Sequence, residues 1–443
     1  MSNGRPLRRW QGAIRVGRYH AGARHRNVRF RRALRRCKMR APVTDETQLP
    51  MRSKSKKPDT LLTHAGRSPE AQHGAVNPPV YHASTIVWPS VAALEAAQKN
   101  RYNQVTYGRF GTPTTHAFEE AMAAVSGGDR AVAFCSGAAA CFGTILALVE
   151  GGGHVLIPDS VYGPVRNFAN NFLKRFGVAA TFYDPLIGAG IAALLRDETR
   201  AIYLESPGSL TFEVQDVPAI VEVARARGIA TLCDNTWGSP LFFKPLALGV
   251  DVEVVAATKY VVGQSDAMMG VAICRDATFP RLREMATLLG NHAAPDDCYL
   301  ALRGLRTAGV RLRQHEAQGL ALARWLKERP EVERVLHPAL PGSPGHEFWK
   351  RDFTGASGLF SIVLRPDFAK PAVDAMLDGM ELFAMGFSWG GYESLMVPVH
   401  PERLRSATRW ETGAVLRLHA GLEDLGDLIA DLERGFGRLR ATR

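Results

Sequence analysis

The amino-acid sequence predicts an α/β protein: a mainly parallel sheet in a large domain, then a smaller C-terminal α/β domain. Three observations predict it. Short apolar runs alternate with helical patterns from residue 130 onward, a long amphipathic segment over 305–329 ends that alternation at Pro330, and a less regular region follows. The chain of 443 residues, 46% hydrophobic, is long enough to bury a large core and exceeds the usual size of one domain.

The N-terminal stretch stands apart by its charge. Residues 1–58 hold 18 Lys and Arg against two acids, Asp45 and Glu46, whereas the rest of the chain holds 37 basic and 41 acidic residues. The formal charge of +12 therefore belongs to the extension, and the body is slightly acidic. The first 40 residues contain no acid and no sustained apolar periodicity, so they cannot bury a core and are expected to be disordered. Three explanations compete, in this order: a start assigned too far upstream, with Met39 or Met51 as the true beginning; an organelle transit peptide; and a nucleic-acid-binding arm. Ser2 is the single serine before Met39, which argues against a transit peptide. Because the body is not basic, no nucleic-acid partner is expected.

Residues 59–112 carry turn signals such as Asn77-Pro78-Pro79 and Gly108, with little helical period before Ala92, and read as an arm. Residues 113–305 form the large domain. Within it, 131–135, 154–157, 201–204, 229–233 and 252–256 read as strands, and 138–150, 165–176 and 217–227 as helices. Asp216 caps the last of these, with Pro218 in its first turn. Residues 306–443 form the C-terminal domain, with strand-like runs at 360–364 and 415–418 and a final helix near 425–439. No internal repeat is present.

The longest apolar stretch, 137–149, is about half the length needed to cross a bilayer, so no membrane span is expected. The six cysteines form no C-x-x-C pair and fall mostly in apolar runs, where reduced Cys packs as a small hydrophobe. A cytoplasmic protein without a metal site is expected.

Three constellations carry chemistry. Ser136-Gly137 sits where a strand runs into a helix, so its free N–H groups offer a phosphate site, with Gly137 and the small Ala138 allowing close approach; a plain tight turn is the alternative. Asp234 lies at the carboxyl end of an apolar strand, where open α/β sheets bind ligands, or it caps a turn. Lys259 follows a buried strand and either snorkels to water or acts. A desolvated lysine is the natural nucleophile for a carbonyl cofactor. Together the three suggest pyridoxal phosphate, whose ring nitrogen a carboxylate keeps protonated.

Over residues 59–440 the chain resembles the Cys/Met-metabolism family of pyridoxal-phosphate enzymes, of aspartate-aminotransferase-like fold type I. The resemblance rests on Tyr107-Gly-Arg109-Phe-Gly-Thr, Ser136-Gly-Ala-Ala-Ala140, Glu205-Ser-Pro-Gly, Asp234-Asn-Thr-Trp237, Ala257-Thr-Lys259-Tyr-Val-Val-Gly, Ser388-Trp-Gly-Gly-Tyr-Glu-Ser394 and Arg417-Leu-His-Ala-Gly-Leu-Glu423. It implies a large pyridoxal-phosphate domain in which Lys259 holds the cofactor as a Schiff base and serves as catalytic base. Asp234 would pair with the ring nitrogen, Gly137, Ala138 and the Thr258 hydroxyl would grip the phosphate, and Tyr162 would stack on the ring and share proton transfer. Tyr107 and Arg109 would reach the phosphate of a neighbouring subunit, so active sites would form in dimers within a homotetramer. Arg417 would clamp the α-carboxylate of an amino-acid thioether, with Ser388, Trp389 and Tyr107 shaping the substrate pocket. Arg417 as a surface ion pair, and Ser388-Trp389 as a turn beside a core tryptophan, are the bland alternatives.

The activity implied is β-elimination of L-cystathionine to homocysteine, pyruvate and ammonia. The rivals are a sibling γ-eliminating or γ-replacing enzyme, an inert body whose basic arm binds nucleic acid, and a scaffold that keeps only the fold. The γ-acting relatives commonly carry Glu before their S-x-G-G step, where this chain has Phe387. Thr287 stands where bacterial β-lyases carry Tyr.

Overall fold

The computed structural model describes residues 56–410 and 413–442. The extension expected over 1–58, apart from its last three residues, lies outside the described residues, as does Cys37. Among the described residues eleven strands make two sheets. Seven belong to the first: β1 (Arg130–Phe134), β2 (His154–Pro158), β3 (Ala179–Tyr183), β4 (Thr199–Glu205), β5 (Ala230–Asp234), β6 (Val252–Val255) and β7 (Gly270–Cys274). Their order is β1-β7-β6-β5-β4-β2-β3. The run from β6 to β3 is parallel, and β7 alone opposes its neighbours β1 and β6. The mainly parallel sheet read from the sequence is therefore present.

Successive side chains on these strands point to opposite faces, and both faces are covered. Val155, Ile157, Tyr203, Leu232, Val252 and Val254 pack in one cluster with the helix Gly137–Leu148. Leu156, Ile202, Leu204 and Cys233 point the other way, into a cluster with the helix Val217–Ala226. Ala131, Ala133, Val271 and Ile273 lie with the helix Pro113–Ser126. Burial on both faces explains the continuous apolar runs in the sequence. Two strands of this sheet have no counterpart among the strands read from the sequence, for opposite reasons. β3 is a half-exposed edge strand without such a run. β7 is fully apolar but needs no crossover helix before it, because it is antiparallel to β6.

The second sheet comprises β8 (Val332–Leu336), β9 (Leu359–Leu364), β10 (Leu395–Val399) and β11 (Val415–His419), in the order β10-β11-β9-β8, antiparallel throughout. The helices Lys370–Asp378 and Leu425–Ala441 bury Val373, Met376, Leu428 and Leu432 against it. A 33-residue helix, Pro295–Lys327, about 50 Å long at 1.5 Å per residue, ties the sheets together. Leu302 and Leu305 join the core of the first sheet, and Leu322 and Leu326 that of the second.

Asp216 caps its helix as expected, accepting from Ala219 N. The helix expected over 165–176 instead starts at Gly163 and widens into π geometry over Phe168–Leu173. There Phe142, Phe168, Phe172 and Phe176 stack in a ladder of rings 4.3 to 4.9 Å apart. No helix among the described residues is long and apolar enough to cross a membrane.

Candidate active site

The carboxyl ends of β1, β2, β4, β5 and β6 open along one edge of the sheet, because these strands share one direction. Ligands of open α/β sheets bind at such an edge. Glu205 and Asp234 end β4 and β5 side by side in register, and both are buried. Asp234 Oδ1 accepts from the Thr236 amide at 2.9 Å and the Thr236 hydroxyl at 2.5 Å. Oδ2 has only distant donors, the Tyr203 hydroxyl at 3.5 Å and Cys141 Sγ at 3.7 Å. Glu205 accepts from Tyr162 N at 2.8 Å and from the Ser209 hydroxyl at 2.6 Å. Burial raises the pKa of both carboxyls, with Glu205 pushed up to about 8 by burial and then by the neighbouring Asp234. Among the described residues no Lys or Arg bonds to either.

Lys259 emerges four residues beyond β6. Its Nζ donates to the Ser388 hydroxyl at 2.5 Å and lies 5.4 Å from the centre of the Trp389 ring. Burial, and then the charge of Arg417, lower its pKa to about 8, while Asp234 opposes the shift. Arg417, on β11, donates through Nη2 to the Ser388 carbonyl at 3.3 Å. Burial lowers its pKa to about 10, which leaves it charged at neutral pH. The fold thus brings a lysine poised to lose its proton within reach of a fixed cation.

Gly137 and Ala138 open the helix after β1, ahead of the first intrahelical bond from Ala140 N to Ser136 O, and the Ser136 hydroxyl caps Ala139 N. A Cβ on Gly137 would lie 2.4 Å from Ala256 Cβ, so glycine is required there for packing against the segment leading to Lys259. This packing requirement stands beside the anion approach expected of the glycine from the sequence. The Thr258 hydroxyl donates to Met269 O at 3.1 Å and accepts from Met269 N at 2.8 Å. Tyr162 begins the next helix with its side chain 42% exposed, within electrostatic range of Asp234, Glu205 and Arg417. Burial of its hydroxyl raises its pKa.

Tyr107 and Arg109 make their contacts outside this group. Arg109 Nη1 donates to the Thr287 carbonyl at 2.9 Å, and Tyr107 packs edge-on to Phe110 with 43% of its surface exposed. The Thr287 hydroxyl donates to Arg283 O of its own helix.

The family model of the Cys/Met metabolism PLP-dependent enzymes matches residues 59–437. The chain belongs to that family. A cystathionine β-lyase of Escherichia coli is 48% identical over 392 residues, covering 87% of this chain and 99% of the relative. One of Salmonella typhimurium is 46% identical over 388 residues, 86% of this chain and 98% of the relative. The crystal structure of cystathionine gamma synthase from Xanthomonas oryzae, in complex with aminoacrylate and cysteine, superposes with a TM-score of 0.80 at 30% identity, covering 88% of this chain and 100% of that one.

As a member of this family the protein uses pyridoxal phosphate, and the residues present fit it. Asp234 is a buried carboxylate lacking a basic partner, Oδ2 is its open oxygen, the helix start at Gly137 presents free donors, and Lys259 is a lysine whose proton is weakly held. Four residues that shape this site went unassigned in the sequence reading: Glu205, Thr236, Tyr203 and Cys141. Glu205 gave the same signal as Asp234, an acid ending an apolar run. Tyr203 and Cys141 gave none, since each looks like a core residue until the strands are placed.

Proposed function

We propose that the chain is a cystathionine β-lyase, cutting the carbon–sulfur bond of L-cystathionine with water to give homocysteine, pyruvate and ammonia. The observation that carries the proposal is the contact of Lys259 Nζ with Ser388, on a loop that Arg417 holds by its backbone. That geometry supports an amino acid docked by its carboxylate on Arg417, with its α-carbon beside an amine able to take a proton. The relatives named as β-lyases and the apolar Phe387 before Ser388 support β- over γ-elimination.

Bound pyridoxal phosphate supplies an electron sink for negative charge at the α-carbon. Asp234 Oδ2 would face its ring nitrogen and favour the protonated form, and Thr236 holds the carboxylate in place. Gly137 and Ala138 would take the phosphate at the helix start. Lys259 Nζ moves the α-proton, helped by a pKa near 8 that leaves part of its population neutral. Ser388 orients that amine, and Trp389 walls one side of it. Tyr162, anchored through its backbone by Glu205, and Lys259 are the candidate donors to the departing sulfur.

We further assign Tyr107 and Arg109 to the site of a neighbouring subunit in a homotetramer. Exposed apolar residues including Val87, Leu288 and Val310 support oligomerisation. The five described cysteines are unpaired, which supports a cytoplasmic setting. Incubation of the purified protein with L-cystathionine tests the activity: pyruvate with homocysteine is the expected outcome, whereas 2-oxobutyrate with cysteine identifies a γ-lyase.

A further inference from the structure

The loop Ser388-Trp389-Gly390-Gly391 is pressed onto the backbone of the catalytic lysine. Ser388 and Gly390 both have positive φ, 93° and 87°, and a Cβ on Gly390 would lie 3.1 Å from Lys259 C and Tyr260 N. An L-residue at such a φ persists only where its surroundings hold it. Two side chains on one face of β11 do so. Arg417 donates to Ser388 O, and Gly390 N–H donates to His419 Nε2 at 3.1 Å.

His419 Nε2 also lies 3.2 Å from Gly391 O. One ring nitrogen cannot accept from the first partner and donate to the second. A buried amide N–H is a fixed donor, so matching Gly390 requires a bare Nε2 and a proton on Nδ1. Among the described residues Nδ1 of His419 is buried with no hydrogen-bond partner. The neighbouring His315 supplies the complement. Its Nδ1 lies 2.9 Å from Ala420 O and so carries a proton, while its Nε2 is bare, buried and unmatched. The two rings are 5.1 Å apart, a donor lacking an acceptor beside an acceptor lacking a donor.

We propose that His419 is a positioning residue for the lyase reaction: as the neutral Nδ1–H tautomer, beside His315 in the same tautomer, it fixes Gly390 and thereby sets Ser388 and Trp389 against Lys259. Burial drives both imidazoles toward the neutral form. His419 falls to about 3, with His315, Arg417 and Lys259 also pushing down and the Gly391 carbonyl opposing. His315 falls to about 4, with the Ala420 carbonyl opposing, Arg311 pushing down, and the Gly421 carbonyl and Glu393 also opposing. His419 touches neither the proton in transit nor Asp234; it acts through the loop.

Nitrogen-15 NMR of the histidine-labelled holoprotein, with the signals assigned through His419→Gln and His315→Gln, reads the tautomers directly. The expected result is a protonated Nδ1 and a bare Nε2 on both rings, and a protonated Nε2 on His419 overturns the proposal. His419→Leu removes the acceptor and, by loosening both the pocket and the Ser388 that orients Lys259, is expected to raise KM for cystathionine at least about tenfold and to lower kcat by about tenfold. His419→Gln keeps an acceptor and should return KM to within about threefold of the native value. Spectroscopic titration of each apoprotein with pyridoxal phosphate should give unchanged affinity. A KM unaffected by the Leu substitution, or a loss of cofactor affinity in both variants, contradicts the assignment. The kinetic arm rests on the lyase reading, whereas the tautomers and the cofactor titration do not, so a protein inert toward cystathionine leaves them decisive.

Discussion

Lys259 and Arg417 divide the work at the reacting centre, and their substitutions should separate it. Replacement of Lys259 by alanine removes the amine that moves the proton, so kcat is expected to fall at least about a thousandfold while the fold survives, measured by pyruvate release and circular dichroism. Arg417→Lys keeps a charge but loses the planar fork, which should raise KM roughly ten- to a hundredfold with a smaller change in kcat. In the apoprotein, amine-directed labelling of Lys259 should show a midpoint near pH 8, well below that of an ordinary lysine, because burial and Arg417 disfavour the ammonium. Lys259 was legible in the residues themselves, since a charged residue emerging from a buried strand asks for a reason, whereas the role of Arg417 was carried by the family resemblance. His419, Tyr203 and Cys141 were not legible, because a polar atom inside an apolar run declares its partner only when another strand comes alongside it.

Among the structural elements, the stretch 406–408 after β10 is clamped by one carboxylate. Asp159, just beyond β2, accepts from Arg166 at 2.6 Å, from the amides of Ser406, Ala407 and Thr408, and from the hydroxyls of Ser406 and Thr408. These bonds outweigh its burial and hold its pKa below the usual carboxylate range. A depressed native pKa means that the unfolded chain takes up the proton first, so this stability is present at neutral pH and is lost as pH falls through the carboxylate range. Asp159→Asn leaves buried Arg166 uncompensated and should cost about 3 kcal/mol at pH 7, with the difference from the native protein shrinking toward pH 3 in denaturant titrations. Such a clamp joins residues 247 positions apart and leaves no local trace in the sequence. The parallel strands buried on both faces were legible as apolar runs, whereas the fully buried antiparallel β7 was not. The edge strand β3 and the helix Pro113–Ser126 escaped notice, the first for its mixed exposure and the second because the arm's turn signals dominate the sequence before it.

For the whole molecule, the assignment of Tyr107 and Arg109 to a neighbour's site makes assembly testable. If each site takes Tyr107 from a neighbour, the Lys259→Ala and Tyr107→Phe variants, each weak alone, should regain roughly a quarter of native activity when mixed and allowed to exchange subunits, because one subunit pairing in four rebuilds an intact site. No gain on exchange would place Tyr107 outside the shared site. Removal of residues 1–58 should leave activity and oligomeric state unchanged, since the body carries the whole family match, whereas loss of a salt-sensitive interaction with DNA or RNA would give the basic arm a role of its own. The two-sheet plan was legible from the alternation of runs and its end at the long helix. How subunits meet was carried only by the family resemblance, since an exposed valine or leucine looks the same in a sequence whether solvent or a second chain covers it.

The most direct test fixes the cofactor to its lysine. Borohydride reduction of the holoprotein, followed by peptide mapping, should place a single phosphopyridoxyl group on Lys259, in the peptide carrying Ala257-Thr258-Lys259-Tyr260. A label on another lysine, or none, would contradict the account of the site from Asp234 to Arg417.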